Sequence, residues 1–238
     1  MSEEIEATKE AAKAVQETAK TVGKALEITQ NFGRFISRYT GASLELASGI
    51  IEDKLKYLRW ERQRRLMMRA NEFLKKEGLE RPTREIPIKF AVPLLQASSL
   101  EDDDYIQDLW AKLLVNAANK ESKVEINRAY IDILERLSSI EARILKIIYT
   151  IPYEEMQHRG VVTEFLPHSA KAFPEKSDKR SINEPNEEVI LVLANLDRLG
   201  CLSVGRSMGG GQLFGMVNPT LFGKNFVDAC TLPSEKNI

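Results

Sequence analysis

The chain has 238 residues, with 34 Lys and Arg against 35 Asp and Glu, a net charge of −1 and 43 % hydrophobic residues. That length suffices to bury a core in one large domain or two small ones, and the charge balance excludes a uniformly basic nucleic-acid binder. Two widely separated cysteines, Cys201 and Cys230, exclude a disulfide scaffold and fit a reducing cytoplasm. The N-terminus Met1-Ser2-Glu3-Glu4 is acidic with no apolar stretch behind it, so no signal peptide is expected, and no apolar run is long enough to span a bilayer.

Residues 3–78 read as nearly continuous helix, free of proline before Pro82. From Ile5 to Thr29 a thin heptad seam of small residues predicts either a docking edge or a helix for self-association or a partner. Ile28, Phe32, Phe35 and Tyr39 then share one face. Small residues at Gly33, Gly41-Ala42-Ser43 and Ala47-Ser48-Gly49 allow close helix approach or a break. Ile50, Ile51, Leu55, Leu58 and Leu66 resume the apolar stripe, and Gly78 is placed as a C-cap.

A short kinked helix is predicted over Lys89 to Ala97, spanning Pro93. Ser99 stands three before Asp102 at capping-box spacing, with Glu101 to Asp104 crowding the first turn of a strongly periodic helix through Ala117. Further helices are predicted over about 125–137 and from Ser138-Ser139-Ile140-Glu141, again a capping box, to about Thr150. Residues 151–186, rich in proline and polar residues, read as a surface excursion around one or two short helices. A helix from Val189 to Leu199 precedes two strands, Cys201 to Arg206 and Gln212 to Asn218, joined by Met208-Gly209-Gly210-Gly211. A last helix runs from Phe222 to Cys230. The expected fold is mainly α, with long N-terminal helices and a helical core followed by a small α+β winged-helix-like C-terminal module. The expected division is 1–82, 83–137 and 138–238.

Little in the residues suggests chemistry. His158 and His168 with Cys201 and Cys230 lack the close spacing of a zinc site. Glu101 to Asp104 is the only dense acidic cluster, but consecutive helical residues diverge too widely to meet at one cation; acids at a helix start are the simpler reading. Gly209-Gly210-Gly211 lacks the Lys-Ser/Thr of a phosphate loop, and no Gly-x-Ser-x-Gly, His-Glu-x-x-His or Cys-x-x-Cys occurs. No catalytic residue, metal, cofactor or small-molecule substrate is therefore assigned.

Charge is distributed unevenly. Residues 54–81 hold ten Lys and Arg against four acids. Lys54, Lys56, Arg59, Arg62, Arg65 and Arg69 form the candidate anion-binding set, the last four recurring on one helical face. That face would meet phosphate backbone, anionic lipid or an acidic protein, or else the chain's own Glu101 to Asp104. The C-terminal module is net acidic, with Glu184, Glu187 and Glu188 at its recognition-helix position and only Arg206 in the wing, so protein binding is favoured there over DNA.

The run Ala97-Ser98-Ser99-Leu100-Glu101-Asp102-Asp103-Asp104, followed by Leu109-Trp110-Ala111-Lys112-Leu113-Leu114-Val115-Asn116-Ala117, resembles the signature of the abortive infection alpha (Abi-alpha) family. Further matching pieces are Asp53-Lys54, Tyr57-Leu58-Arg59-Trp60, Ile133-Leu134, Leu137-Ser138 and Glu141-Ala142-Arg143. The resemblance implies a bacterial cytoplasmic protein associated with phage defence and carries no active site with it. Its signature residues Ser99, Asp102, Asp103, Trp110 and Asn116 are expected to be structural. The expected function is therefore non-enzymatic, through protein contacts or self-association and through an anionic membrane surface, which would place the protein peripherally at the inner face of the membrane. A nucleic-acid-binding regulator using helix 54–69 and an unrecognised nuclease are the alternatives.

Overall fold

The computed structural model describes residues 27, 30–51, 60–174 and 182–236, in which helices dominate and a small antiparallel sheet lies towards the C-terminus. Helix α1 (residues 30–40) turns Phe32, Phe35, Ile36 and Tyr39 inward, none more than 6 % exposed. Their spacing is the predicted stripe; Ile28, Leu55, Leu58 and nearly all of the heptad seam lie outside the described residues. The helix is interrupted at 41–43, one of the small-residue stretches that allow a break. Gly41 adopts φ +68°, a backbone conformation that favours glycine, beside the Glu85 carboxylate. Ser43 then caps α2 (Leu44–Ile50), its Oγ accepting the Leu46 N–H.

Helix α3 (Trp60–Lys76) buries Leu66, Ala70, Phe73 and Leu74. It ends as predicted at Gly78 in a Schellman arrangement: Leu79 N–H bonds the Leu74 carbonyl and Gly78 N–H that of Lys75. Helix α4 (Ile88–Ser98) carries Pro93 internally and leads into α5 (Asp104–Ala117), the core helix, with Ile106, Trp110, Leu113 and Leu114 all about fully buried. The N-cap of α5 is Asp103, not Ser99. Ser99 is the C-terminal cap of α4, its buried hydroxyl donating to the Leu95 carbonyl, and Asp103 accepts from Tyr105 and Ile106 N–H instead.

Helix α6 (Ala129–Leu134) is shorter than expected, because Asn127 Oδ1 accepts the Ala129 N–H and turns the chain just before it. Helix α7 (Ser139–Ile148) opens with the predicted capping box of Ser138 and Glu141. The other oxygen of Glu141 accepts from Asn195 Nδ2 (2.6 Å), tying α7 to the later helix α9 (Glu187–Arg198). The excursion contains α8 (Tyr153–Met156) and two short strands that were not predicted, β1 (Val161–Val162) and β2 (Lys171–Ala172). With β3 (Leu202–Arg206) and β4 (Gln212–Pro219) they form an antiparallel sheet in the order β2-β1-β4-β3, in which Val161 pairs with Val217.

Helix α10 (Leu221–Ala229) packs so closely that a Cβ on Gly223 would lie 1.9 Å from the Cys201 carbonyl oxygen. Beside it, the Tyr149 hydroxyl donates to the Cys201 carbonyl (2.7 Å) and accepts from Thr220 N–H (3.0 Å). The polar C-terminal residues fold back onto the helices. Glu235 joins Lys112 of α5 (2.8 Å) to Lys76 of α3 (3.1 Å), and Ser234 bonds Glu77. Among the described residues one buried apolar cluster runs from Phe32 to Leu232.

Candidate functional site

Helices α3 and α5 lie side by side, and the arginines on their seam face carboxylates in register. Arg62 meets Asp102 (2.5 Å), Arg65 meets Asp104 (2.7 Å) and Arg69 meets Asp108 through two parallel bonds of 2.5 Å. Both residue numbers rise together, so the helices run in the same direction. Lys76, Lys112 and Glu235 complete the seam at the far end.

The rungs differ in strength. Asp102 and Asp104 are 69 % and 71 % exposed, and such pairs contribute about 0–1 kcal/mol. The Arg69–Asp108 pair is bidentate and better shielded, and Arg69 also bonds Glu72 and lies over the Phe73 ring at 4.6 Å. The Asp108 hydrogen bond, partly opposed by burial, raises the Arg69 pKa above its ordinary value.

The family-signature residues hold this seam and its surroundings together. Asp103 caps α5 and accepts the Ser139 hydroxyl of α7; that hydrogen bond, with the backbone ones, holds its carboxyl below the usual range. Trp110 is 1 % exposed in the core. Asn116, fully buried, donates both amide hydrogens, to the Ala229 and Thr231 carbonyls at 2.8 Å each, and so fastens the end of α10 to α5. Gln107, which the sequence analysis did not single out, is equally buried and bonds the Ser98 and Glu101 carbonyls, locking the α4–α5 turn.

Of the six candidate anion-binding residues, Arg62, Arg65 and Arg69 are brought together on the seam and face acids; Lys54, Lys56 and Arg59 lie outside the described residues. A second group of arginines went unremarked in the sequence. Arg34 and Arg38 of α1 and Arg64 of α3 are exposed around one surface trough, and among the described residues none forms an ion pair. The sequence carries their signal: Arg34 and Arg38 stand four apart, on the exposed side of α1, away from its buried phenylalanines. Arg64 sits one helical step off the Arg62–Arg65–Arg69 stripe.

The remaining titratable candidates do not converge. Cys201 and Cys230 are buried and burial raises both thiols, Cys201 to about 12, whereas His158 and His168 are exposed. Among the described residues no group of three His, Cys, Asp or Glu could hold a metal ion, and no helix is long and apolar enough to cross a membrane. In the C-terminal part, α9 presents Glu187, Glu188 and the 67 % exposed Leu191 outward, and the β3–β4 tip carries a fully exposed Met208.

No curated protein and no solved structure matches the chain. A family model does, over residues 61–230, which takes in the α3–α5 seam, the sheet and α10. By that match, which covers well over half of its length, the chain belongs to the abortive infection alpha family.

Proposed function

We propose that the protein is a non-enzymatic phage-defence protein of the abortive infection kind, acting through its surfaces: an anionic partner at the N-terminal helices and a protein at the C-terminal module. The observation that carries this reading is the fate of the acidic cluster. Asp102 faces Arg62, Asp104 faces Arg65, Asp108 faces Arg69, and Asp103 is committed to capping α5 and to Ser139. Carboxylates spread along a helix start and individually engaged are poorly disposed to share a catalytic cation. A cytoplasmic location, peripheral at the inner face of the membrane, follows from the same reading.

The winged-helix reading of the C-terminal module draws support from its order. Helices α7 and α8, strands β1 and β2, helix α9 and the β3–β4 hairpin follow in that order, with β1 pairing on the side of β4 away from β3. Glu187 and Glu188 at the start of α9 favour a protein partner over DNA. The nucleic-acid-regulator alternative would draw on the basic helix 54–69, of which the described arginines Arg62, Arg65 and Arg69 already face carboxylates.

The test is incubation of the purified full chain with single- and double-stranded DNA and RNA in Mg²⁺ or Mn²⁺. No turnover is expected. Metal-dependent cleavage that disappears in Asp102→Asn and Asp103→Asn, with the fold intact by circular dichroism, would overturn the reading.

A further inference from the structure

We infer that the trough between α1 and α3, rimmed by Arg34, Arg38 and Arg64, is a binding site for the phosphate headgroups of an anionic lipid surface, with Met68 entering the interface. This rests on the contact-based reading above and names its anionic partner and its residues. Residues Arg62, Arg65 and Arg69 are left to the seam.

Three observations carry it. First, the cations of the trough are held without being neutralised. Arg34 Nη2 donates to Asn31 Oδ1 (2.8 Å) and Arg38 donates to Asn71 Oδ1, both neutral amides, while Arg64 has no hydrogen-bond or ion-pair partner among the described residues. A guanidinium has five N–H donors, so most remain available to phosphate oxygens, which it matches in a bidentate fork. Secondly, Met68 is 59 % exposed among these arginines. A flexible apolar side chain flanked by cations is the composition of an interfacial helix face, which buries its apolar groups at the headgroup boundary and needs no spanning segment.

Thirdly, the shape favours a surface over a strand. The trough is shallow and two helices wide, and it adjoins a second shallow trough that shares Arg64 and Met68. Single-stranded nucleic acid is held by exposed aromatic platforms along a basic groove. The aromatic ring of this trough, Phe35, is only 6 % exposed and stacks on Phe32 in the core.

The experiment is co-sedimentation of the full chain with phosphatidylcholine vesicles, with and without phosphatidylglycerol, at low and high salt. Binding is expected only with phosphatidylglycerol and is expected to fall at high salt, where screening shortens the reach of the charges. A basic residue near such a surface strengthens binding by about fivefold, so Arg34→Gln/Arg38→Gln/Arg64→Gln should weaken it on the order of a hundredfold. The charge-matched variant Arg128→Gln/Arg136→Gln/Arg159→Gln, exposed positions elsewhere, should change it by less than about threefold. Arg64→Lys, which keeps the charge, should retain most of the binding.

Equal losses in the two triple variants would overturn the site. So would absence of binding by the wild-type chain, which leaves the non-enzymatic reading standing; nucleic-acid cleavage would do the reverse. A short duplex DNA bound more tightly than phosphatidylglycerol vesicles, and lost in the same triple variant, would assign the trough to nucleic acid and overturn the lipid assignment.

Discussion

Replacing Asn116 by leucine removes a buried clamp while keeping the branched heavy-atom skeleton of the side chain. Asn116 is fully buried, and its Nδ2 supplies hydrogen bonds of 2.8 Å to the carbonyls of Ala229 and Thr231, where α10 runs out. The last carbonyls of a helix have no partner within it. Each lost hydrogen bond costs about 1 kcal/mol net, and a carbonyl left dry and unpaired adds to that, so the pair amounts to about 2–4 kcal/mol. The gain in helix propensity on placing leucine in α5 offsets only about 0.5 kcal/mol. With a urea slope of about 3 kcal/mol/M for a chain of this size, the unfolding midpoint should fall by about 1 M. Asn116→Asp should be worse, because a carboxylate cannot donate and would face two carbonyls in a dry site. The assay is urea unfolding followed by far-ultraviolet circular dichroism and tryptophan fluorescence. A leucine variant within about 0.5 kcal/mol of the wild type, at unchanged slope, would refute the clamp.

Gly223→Ala forces a methyl group against the Cys201 carbonyl and the Tyr149 hydroxyl and should cost about 3 kcal/mol or more, read from the same unfolding curves. Asp102→Asn, at an exposed rung, should cost less than about 1 kcal/mol, and a larger loss would show that the rung is better shielded than its exposure implies. Asp103, Asp228 and Glu235 are held below their ordinary pKa, Asp103 chiefly by Ser139, and the other two by lysine partners that outweigh the burial opposing them. The unfolded chain therefore binds more protons than the folded one in the acid range. The contribution of these groups is complete above about pH 5 and is lost as the pH falls through their depressed values, and Glu235→Gln should flatten that acid limb in a pH series of midpoints. The thiols of Cys201 and Cys230, buried and raised in pKa, should react with a thiol reagent at neutral pH only when the chain unfolds.

What could be read from the sequence is what is decided locally. The capping box at Ser138–Glu141, the glycine end of α3, the periodic faces of α1 and α5 and the hairpin around Gly209–Gly211 each depend on residues within about one or two turns. The short strands β1 and β2 do not. Val161 and Val162 are a strand because they pair with Val217 and Met216 some fifty residues away, and two residues carry too little alternation to announce it. The start of α5 was misplaced because Ser99 and Asp103 are both good N-caps; the Leu95 carbonyl, reached only once α4 has formed, claims the Ser99 hydroxyl. In the candidate site, the helical spacing puts Arg59, Arg62, Arg65 and Arg69 on one face, and the three of these that are described line the seam with α5. Which way that group would turn depended on Leu66, Ala70 and Phe73 docking against α5, an event between segments about forty residues apart.

The near-zero net charge acquires a structural meaning from that seam. Helices α3 and α5 run in the same direction, so their dipoles lie side by side without cancelling. The acids that begin α5 and the lysines that end α3 complement the two helix ends, and the arginine rungs between them pair in one register. The exposed rungs add little stability. An external anion must compete with a carboxylate at every one of those arginines, and with none among the described residues at Arg34, Arg38 and Arg64. The two sets of arginines are thus separated by their partners: one fastens the helices together, and the other is left facing out.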